Sequence, residues 1–136
     1  MFPKKILSFL IFLIIIFSGT AKVYSIEPDV FVQSTVNRAS EALSNKFSKE
    51  EKIEKLKEIA NETVDIDGIS LYTLGAYRKN ISQDQLNQYK ILFKQYFLKS
   101  FASRLAEYSN PEIEVTSKRE LNKNYTMVSS ILIATE

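Results

Sequence analysis

Apolar residues recur along this chain in three different rhythms. From Ile6 to Phe17 they form a run of twelve positions broken only by Ser8. From Val32 to Tyr108 they return every three or four residues, the repeat of a helix face. From Ile113 onward they alternate with polar residues, the repeat of a strand with one covered side.

The middle stretch divides at its capping residues. Asp29, after Pro28, is placed to cap a first helix with Val32, Val36, Ala39 and Leu43 inward. Ser48 and Glu51 have the S-x-x-E spacing of a capping box and open a second helix, with Ile53, Leu56, Ile59 and Ala60 inward. Lys49, Glu50, Lys52, Glu54, Lys55, Lys57 and Glu58 are expected on the solvated face of that helix. Asp65 or Asp67 caps a third, shorter helix through Ile69, Thr73 and Tyr77, ending near Asn80. Ser82 and Gln85 make a second capping box and open the longest helix, which the Asn110-Pro111 pair should stop.

Beyond Pro111 the reading is extended. Ile113, Val115 and Ser117 alternate with Glu112, Glu114 and Thr116, and Asn122-Lys123-Asn124 is a turn. Tyr125 to Thr135 then reads as a second strand. Two strands alone are marginally stable, and Ile131-Leu132-Ile133 would leave an apolar edge. The expectation is therefore a sheet cut short by C-terminal truncation, or failing that one completed by another chain.

Composition narrows the chemistry. The 136 residues are 45% hydrophobic and 25% charged, which fits one globular domain. Cysteine and histidine are both absent. Disulfides, Cys/His zinc sites, thiol catalysis and histidine-based triads are thereby excluded, as is a lipid-modified lipoprotein anchor, which needs a thiol.

Lys4 and Lys5, the apolar run, and then Ser18, Gly19, Thr20 and Ala21 follow the order of a secretory signal peptide. Cleavage fits after Ala21 or after Ser25; the second leaves Ile26-Glu27-Pro28 as a polar start and is preferred. Twelve residues span only about 18 Å of helix against roughly 30 Å of hydrocarbon, too short for a stable membrane anchor. The expected organisation is a signal peptide over 1–25 and one exported domain over 26–136. Removing 1–25 leaves 15 basic against 16 acidic residues, a balance that disfavours nucleic-acid binding.

The longest helix carries the most information. Leu86, Tyr89, Phe93, Phe97, Phe101, Leu105 and Tyr108 form one stripe, widened by Leu92, Tyr96 and Leu98. It reads either as an ordinary core helix lying across a sheet or as the wall of an apolar ligand cavity. Catalytic groupings are thin. Asp65 and Asp67, with Glu62, lack the further ligands of a calcium loop and are explained by capping. Ser and Thr have no histidine base, and there is no Gly-rich phosphate loop. Arg78-Lys79 suits the C-terminal end of a helix. No cofactor and no enzyme activity are implied.

From Asp65 to Tyr108 the order of residues resembles the MlaC family of periplasmic phospholipid-shuttle proteins. Asp65 opens the pattern, Leu74, Gly75 and Tyr77 match its Leu-Gly-x-Tyr, and Ser82 with Gln85 match the next helix opening. Tyr89 and Phe93 hold aromatic positions, Phe101 replaces a usual Tyr, and Leu105 and Tyr108 close it. Arg78 and Lys79 depart from the family's Trp and Arg. The resemblance extends from about residue 28 to the end.

It implies an α+β fold in which N-terminal helices pack on a twisted antiparallel, NTF2-like sheet around an apolar pocket. That pocket would hold phospholipid acyl chains, lined by Leu74, Tyr77, Tyr89, Phe93, Phe97 and Phe101 and by Val115, Val128 and Ile131 of the strands. It further implies partners: an inner-membrane ABC transporter complex and an outer-membrane lipoprotein–porin complex. The competing expectation is an exported protein-interaction module with a packed core and no lipid.

Overall fold

The computed structural model describes residues 25–133. The signal-peptide reading of 1–25 falls almost wholly outside the described residues, as do residues 134–136. Four α-helices are followed by a β-hairpin: α1 (Pro28–Ala42), α2 (Lys49–Thr63), α3 (Ile66–Leu74), a 3-10 turn (Gly75–Lys79), α4 (Gln83–Leu105), β1 (Glu112–Asn122) and β2 (Tyr125–Ile133).

Most helix starts follow their capping residues. At α2, Glu51 N–H donates to Ser48 Oγ at 3.2 Å and Ser48 N–H donates to Glu51 Oε2 at 2.8 Å. At α4 the same reciprocal pair joins Ser82 and Gln85, at 3.2 and 2.9 Å. Asp65 caps α3, accepting from Gly68 N–H at 2.9 Å. The first helix differs from expectation. Its N-cap is Glu27, with no side-chain cap, and Asp29 lies inside the first turn. Pro28 explains this, because its fixed φ suits the first helical position and its missing N–H needs no partner there.

Two further differences have tertiary causes. The long helix stops at Leu105, short of Asn110-Pro111. Asn110, at φ 46°, donates its N–H to the Leu43 carbonyl at 3.2 Å and accepts from Asn45 N–H at 3.0 Å. These bonds turn the connector toward the α1–α2 loop. Lys52, expected in solvent, is only 7% exposed. Its aliphatic stem is covered, and no buried side-chain nitrogen or oxygen among the described residues lacks a partner, so the ammonium reaches out past its stem.

Packing runs as a chain of neighbours. The hairpin lies on α1, α1 on α2, α2 on α4, and α4 on α3. The core sits where three helices meet: Ala42 and Leu43, Leu56 and Ile59, Ala102 and Ala106. Small residues let these helices approach closely, and covering a side chain such as Leu56 contributes about 1.5–3 kcal/mol. The longest helix therefore does not lie across the sheet; its tightest contact is made by alanines.

The hairpin is antiparallel, with Ile113 opposite Leu132 and Lys118 opposite Val128. Register shifts between Val115 and Ser117 and between Glu120 and Asn122 leave Thr116 and Leu121 as extra residues.

Candidate functional site

The aromatic residues of α4 form a continuous ladder. Tyr89 and Phe93 have centroids 5.8 Å apart with planes tilted by 35°, and Phe93 and Phe97 stack at 6.2 Å and 19°. Phe97 and Phe101 are closer and more nearly parallel, at 5.6 Å and 9°. All four rings are half-buried. The spacing of four residues produces this, since positions i and i+4 are neighbours on a helix surface.

The two ends of the ladder differ. At the N-terminal end the Tyr89 hydroxyl and Thr73 Oγ1 are hydrogen-bonded at 2.8 Å. One residue on, Lys90 Nζ donates to Asp67 Oδ2 at 3.1 Å, joining α4 to α3. At the other end Phe101 is followed by Ala102, which is fully buried, and by Leu105 and Ala106 of the core. Asp65 and Asp67, weighed as metal ligands from the sequence, are thus a helix cap and an ion-pair partner. Among the described residues no cluster of three carboxylates could hold a metal ion.

The nine residues anticipated as lipid contacts fall into separate groups. Tyr89, Phe93, Phe97 and Phe101 form the ladder, with Leu74 half-buried on the neighbouring α3. Tyr77, on the 3-10 turn, is 75% exposed. Val115 and Val128 are half-buried, on the hairpin strands that pack against α1. Ile131 is 54% exposed and alternates with Ser130 and Leu132, which puts it on the other face of the hairpin from Val128. The strand residues and the ladder are therefore not brought to one surface.

Gly75, matched in the sequence to the Leu-Gly-x-Tyr pattern, is set by backbone conformation. Its φ is 57°, and a Cβ there would meet nothing within 4 Å. Left-handed backbone at the end of α3, not a crowding neighbour, is what requires glycine.

Three concavities lie elsewhere. One of about 220 Å³ runs between α1 and α2 and is walled by Arg38, Glu41, Phe47, Lys55 and Glu58. Here the Lys46 and Lys55 ammonium groups stand 4.9 and 4.5 Å from the Phe47 ring centroid. Another, about 470 Å³, follows the outer side of α1 from Val30 to Glu41, and a third, about 370 Å³, follows α4 from Tyr96 to Arg104. None is walled by the ladder.

Sequence reasoning missed two parts of this site. One is the polar end, because a Thr73–Tyr89 bond between separate helices leaves no mark in local pattern. The other is the exposure of apolar residues on α4: Leu92 and Tyr96, neighbours four apart, and Ile91 on a different side are each at least 60% exposed. Exposed Tyr72 and Tyr77, on α3 and the turn after it, are further large apolar residues left uncovered. The spacing of Leu92 and Tyr96 was visible, but it was read as a widening of the stripe.

Four helices feeding an antiparallel hairpin, with an aromatic ladder on the longest helix, define an α+β domain equipped to contact apolar material. Over residues 32–136 the chain matches the family described as MlaC protein, and it belongs to that family. MlaC is a lipid-binding carrier family, not an enzyme family. No curated protein and no solved structure was found to match. Among the described residues no helix is long and apolar enough to cross a membrane.

Proposed function

We propose that this protein is a periplasmic phospholipid carrier whose cargo lies with its acyl chain along Tyr89, Phe93, Phe97 and Phe101. The observation that carries the reading is the continuous half-buried ladder in a chain of the MlaC family. Half-buried rings offer apolar surface that a hydrocarbon chain can cover without displacing the core. Each methylene so covered contributes roughly 0.8 kcal/mol, which makes transfer between sites hydrophobic rather than chemical. Leu74 and Tyr77 extend the contact surface at its N-terminal end, and Val115, Val128 and Ile131 of the hairpin are held as secondary contacts.

In this reading the signal peptide over 1–25 delivers the domain over 26–136 to the periplasm. Cargo passes between an inner-membrane ABC transporter complex and an outer-membrane lipoprotein–porin complex. Organic extraction and mass spectrometry of the purified mature protein test it. Near-stoichiometric phospholipid surviving gel filtration is the expected result. A well-folded preparation that carries no lipid and takes none from vesicles would end the reading.

A second reading has its own observation. Leu92 and Tyr96, four apart on α4 and so neighbours on its surface, are exposed apolar side chains of the kind that dock protein partners. An exported interaction module would show unchanged partner binding after the ladder is altered and loss of binding after Leu92→Ser.

A further inference from the structure

Phe93, Phe97 and Phe101 have a second row beside them. Tyr96, Ser100 and Arg104 each stand three residues beyond one of those rings, so the two rows run side by side along α4, with Cβ atoms about 5–6 Å apart. The second row borders the concavity of about 370 Å³ on α4, whose walls are Tyr96, Lys99, Ser100, Ser103 and Arg104. It lies on the side of the helix away from Ala102, which is fully buried.

Every one of those wall side chains can donate a hydrogen bond, through a hydroxyl, an ammonium or a guanidinium, and no carboxylate stands among them. The two concavities beside α1 differ, since Glu41 stands in both and Glu58 in one. Among the described residues the side chains of Tyr96, Lys99, Ser100, Ser103 and Arg104 make no hydrogen bond or ion pair. From Gln85 to Ala106 the chain carries Lys90, Lys94, Lys99 and Arg104 and no acid. Lys90 is taken by Asp67 of α3, and Glu107, the next acid along the chain, is taken by Lys49 at 2.6 Å.

We propose that this groove holds the phosphate of the phospholipid whose acyl chain lies on the ladder. The inference rests on the carrier reading above. A phosphodiester is an anion whose outer oxygens only accept hydrogen bonds, so a wall of donors with two cations suits it, and a carboxylate there would repel it. Arg104 can hold two of those oxygens at once through its planar fork, while Lys99 acts as a point charge. Tyr96, Lys99 and Arg104 are all exposed, so a bound phosphate keeps part of its water and escapes the cost of burying a charge. The step between the two rows is of the size of the glycerol that joins a phosphate to its acyl chains.

Calorimetric titration of the mature protein with three probes tests this: dioctanoylphosphatidylglycerol, dioctanoylglycerol, which has the same chains and no phosphate, and inorganic phosphate. The charged lipid is expected to bind more tightly than the neutral one, with an advantage that shrinks as salt rises. Arg104→Gln and Lys99→Gln, both at exposed positions, are each expected to weaken the charged lipid by about tenfold, the change for one lost hydrogen bond to a charged group, and to leave dioctanoylglycerol unaffected. Equal affinity for the two lipids, or charged-lipid affinity unchanged in both variants, overturns the phosphate site and leaves the carrier reading standing. Inorganic phosphate bound as tightly as the charged lipid, with no binding of dioctanoylglycerol, assigns the groove to free phosphate and overturns the lipid assignment. If neither lipid binds the unaltered protein, the carrier reading falls, and the phosphate site with it.

Discussion

Lys118 and Asp29 stand 89 positions apart, yet the Lys118 ammonium donates to Asp29 Oδ1 at 2.7 Å. The same ammonium reaches Glu27 Oε2 at 3.0 Å, so one hairpin side chain bridges two acids at the start of α1. The Asp29 carboxyl is held below its ordinary value by this bond, and the Lys118 ammonium is pushed above its own, first by Asp29 and then by Glu27. Because the pair is open to solvent, its effect on global stability is small. Lys118→Met is expected to leave the melting temperature nearly unchanged while speeding amide exchange across β1 and β2, read by hydrogen–deuterium exchange. Unchanged exchange would mean that apolar contacts alone seat the hairpin.

Stability should fall at both extremes of pH. Glu51 is held below its ordinary 4.5, chiefly by the Ser48 N–H and then by the Ser48 hydroxyl, and Asp29 is held below 3.8 by Lys118. A lowered folded-state value means the contribution is complete above the ordinary value and disappears as pH falls through the lowered one. Lys49, through Glu107, and Lys118 are raised above 10.5, so their contribution is complete below that value and disappears as pH climbs through the raised one. Thermal melts across pH at low salt should show a plateau between these limits. Glu51→Gln should soften the acid limb.

Ser48→Ala removes one half of a reciprocal cap. The loss is expected to be about 1 kcal/mol, read by urea unfolding with an unchanged slope. A neutral result would show that core packing, rather than capping, fixes the start of α2.

Ala102 is fully buried between α4 and the rest of the core. Ala102→Leu should cost about 1–3 kcal/mol by overpacking. If it instead stabilised the protein, the helices would have to meet less closely than described.

Phe93→Ala separates cargo contact from core packing. The ring is only half-buried, so about 2 kcal/mol is expected, less than for a fully covered phenylalanine. Lipid occupancy by mass spectrometry should drop while the cooperative melt persists. Loss of the fold with no separate effect on lipid would assign Phe93 to the core.

What could be read in the chain was local chemistry. Ser48 with Glu51 and Ser82 with Gln85 open their helices because a cap depends on residues three apart, and the ladder follows from a spacing of four. The turn after Asn122 and the alternation of Ile113 and Val115 are equally short-range. Failures came where distant partners decide. Asn110 ends the α4 connector through Leu43 and Asn45, and Asp29 serves Lys118 instead of capping. The core was obscured by size: the aromatic stripe drew the eye, while Ala102 and Ala106, four apart on the other side of the helix, make the closest contact. Those alanines at helical spacing were the available signal. The strand contacts could not be grouped either, because Val128 and Ile131 part to opposite faces and the hairpin seats on α1.

The ladder also has a handedness. Rings four residues apart on a helix that turns every 3.6 advance roughly 40° at each step, so from Tyr89 to Phe101 they swing about a third of the way round α4. Such a ridge is inclined about 26° to the helix axis. A rigid straight body touching all four rings would have to cross α4 obliquely, and one aligned with the axis would lose Tyr89 or Phe101. A chain with rotatable bonds can follow the swing by changing a few torsions, so in the proposed carrier role the ladder would favour a flexible cargo over a rigid one.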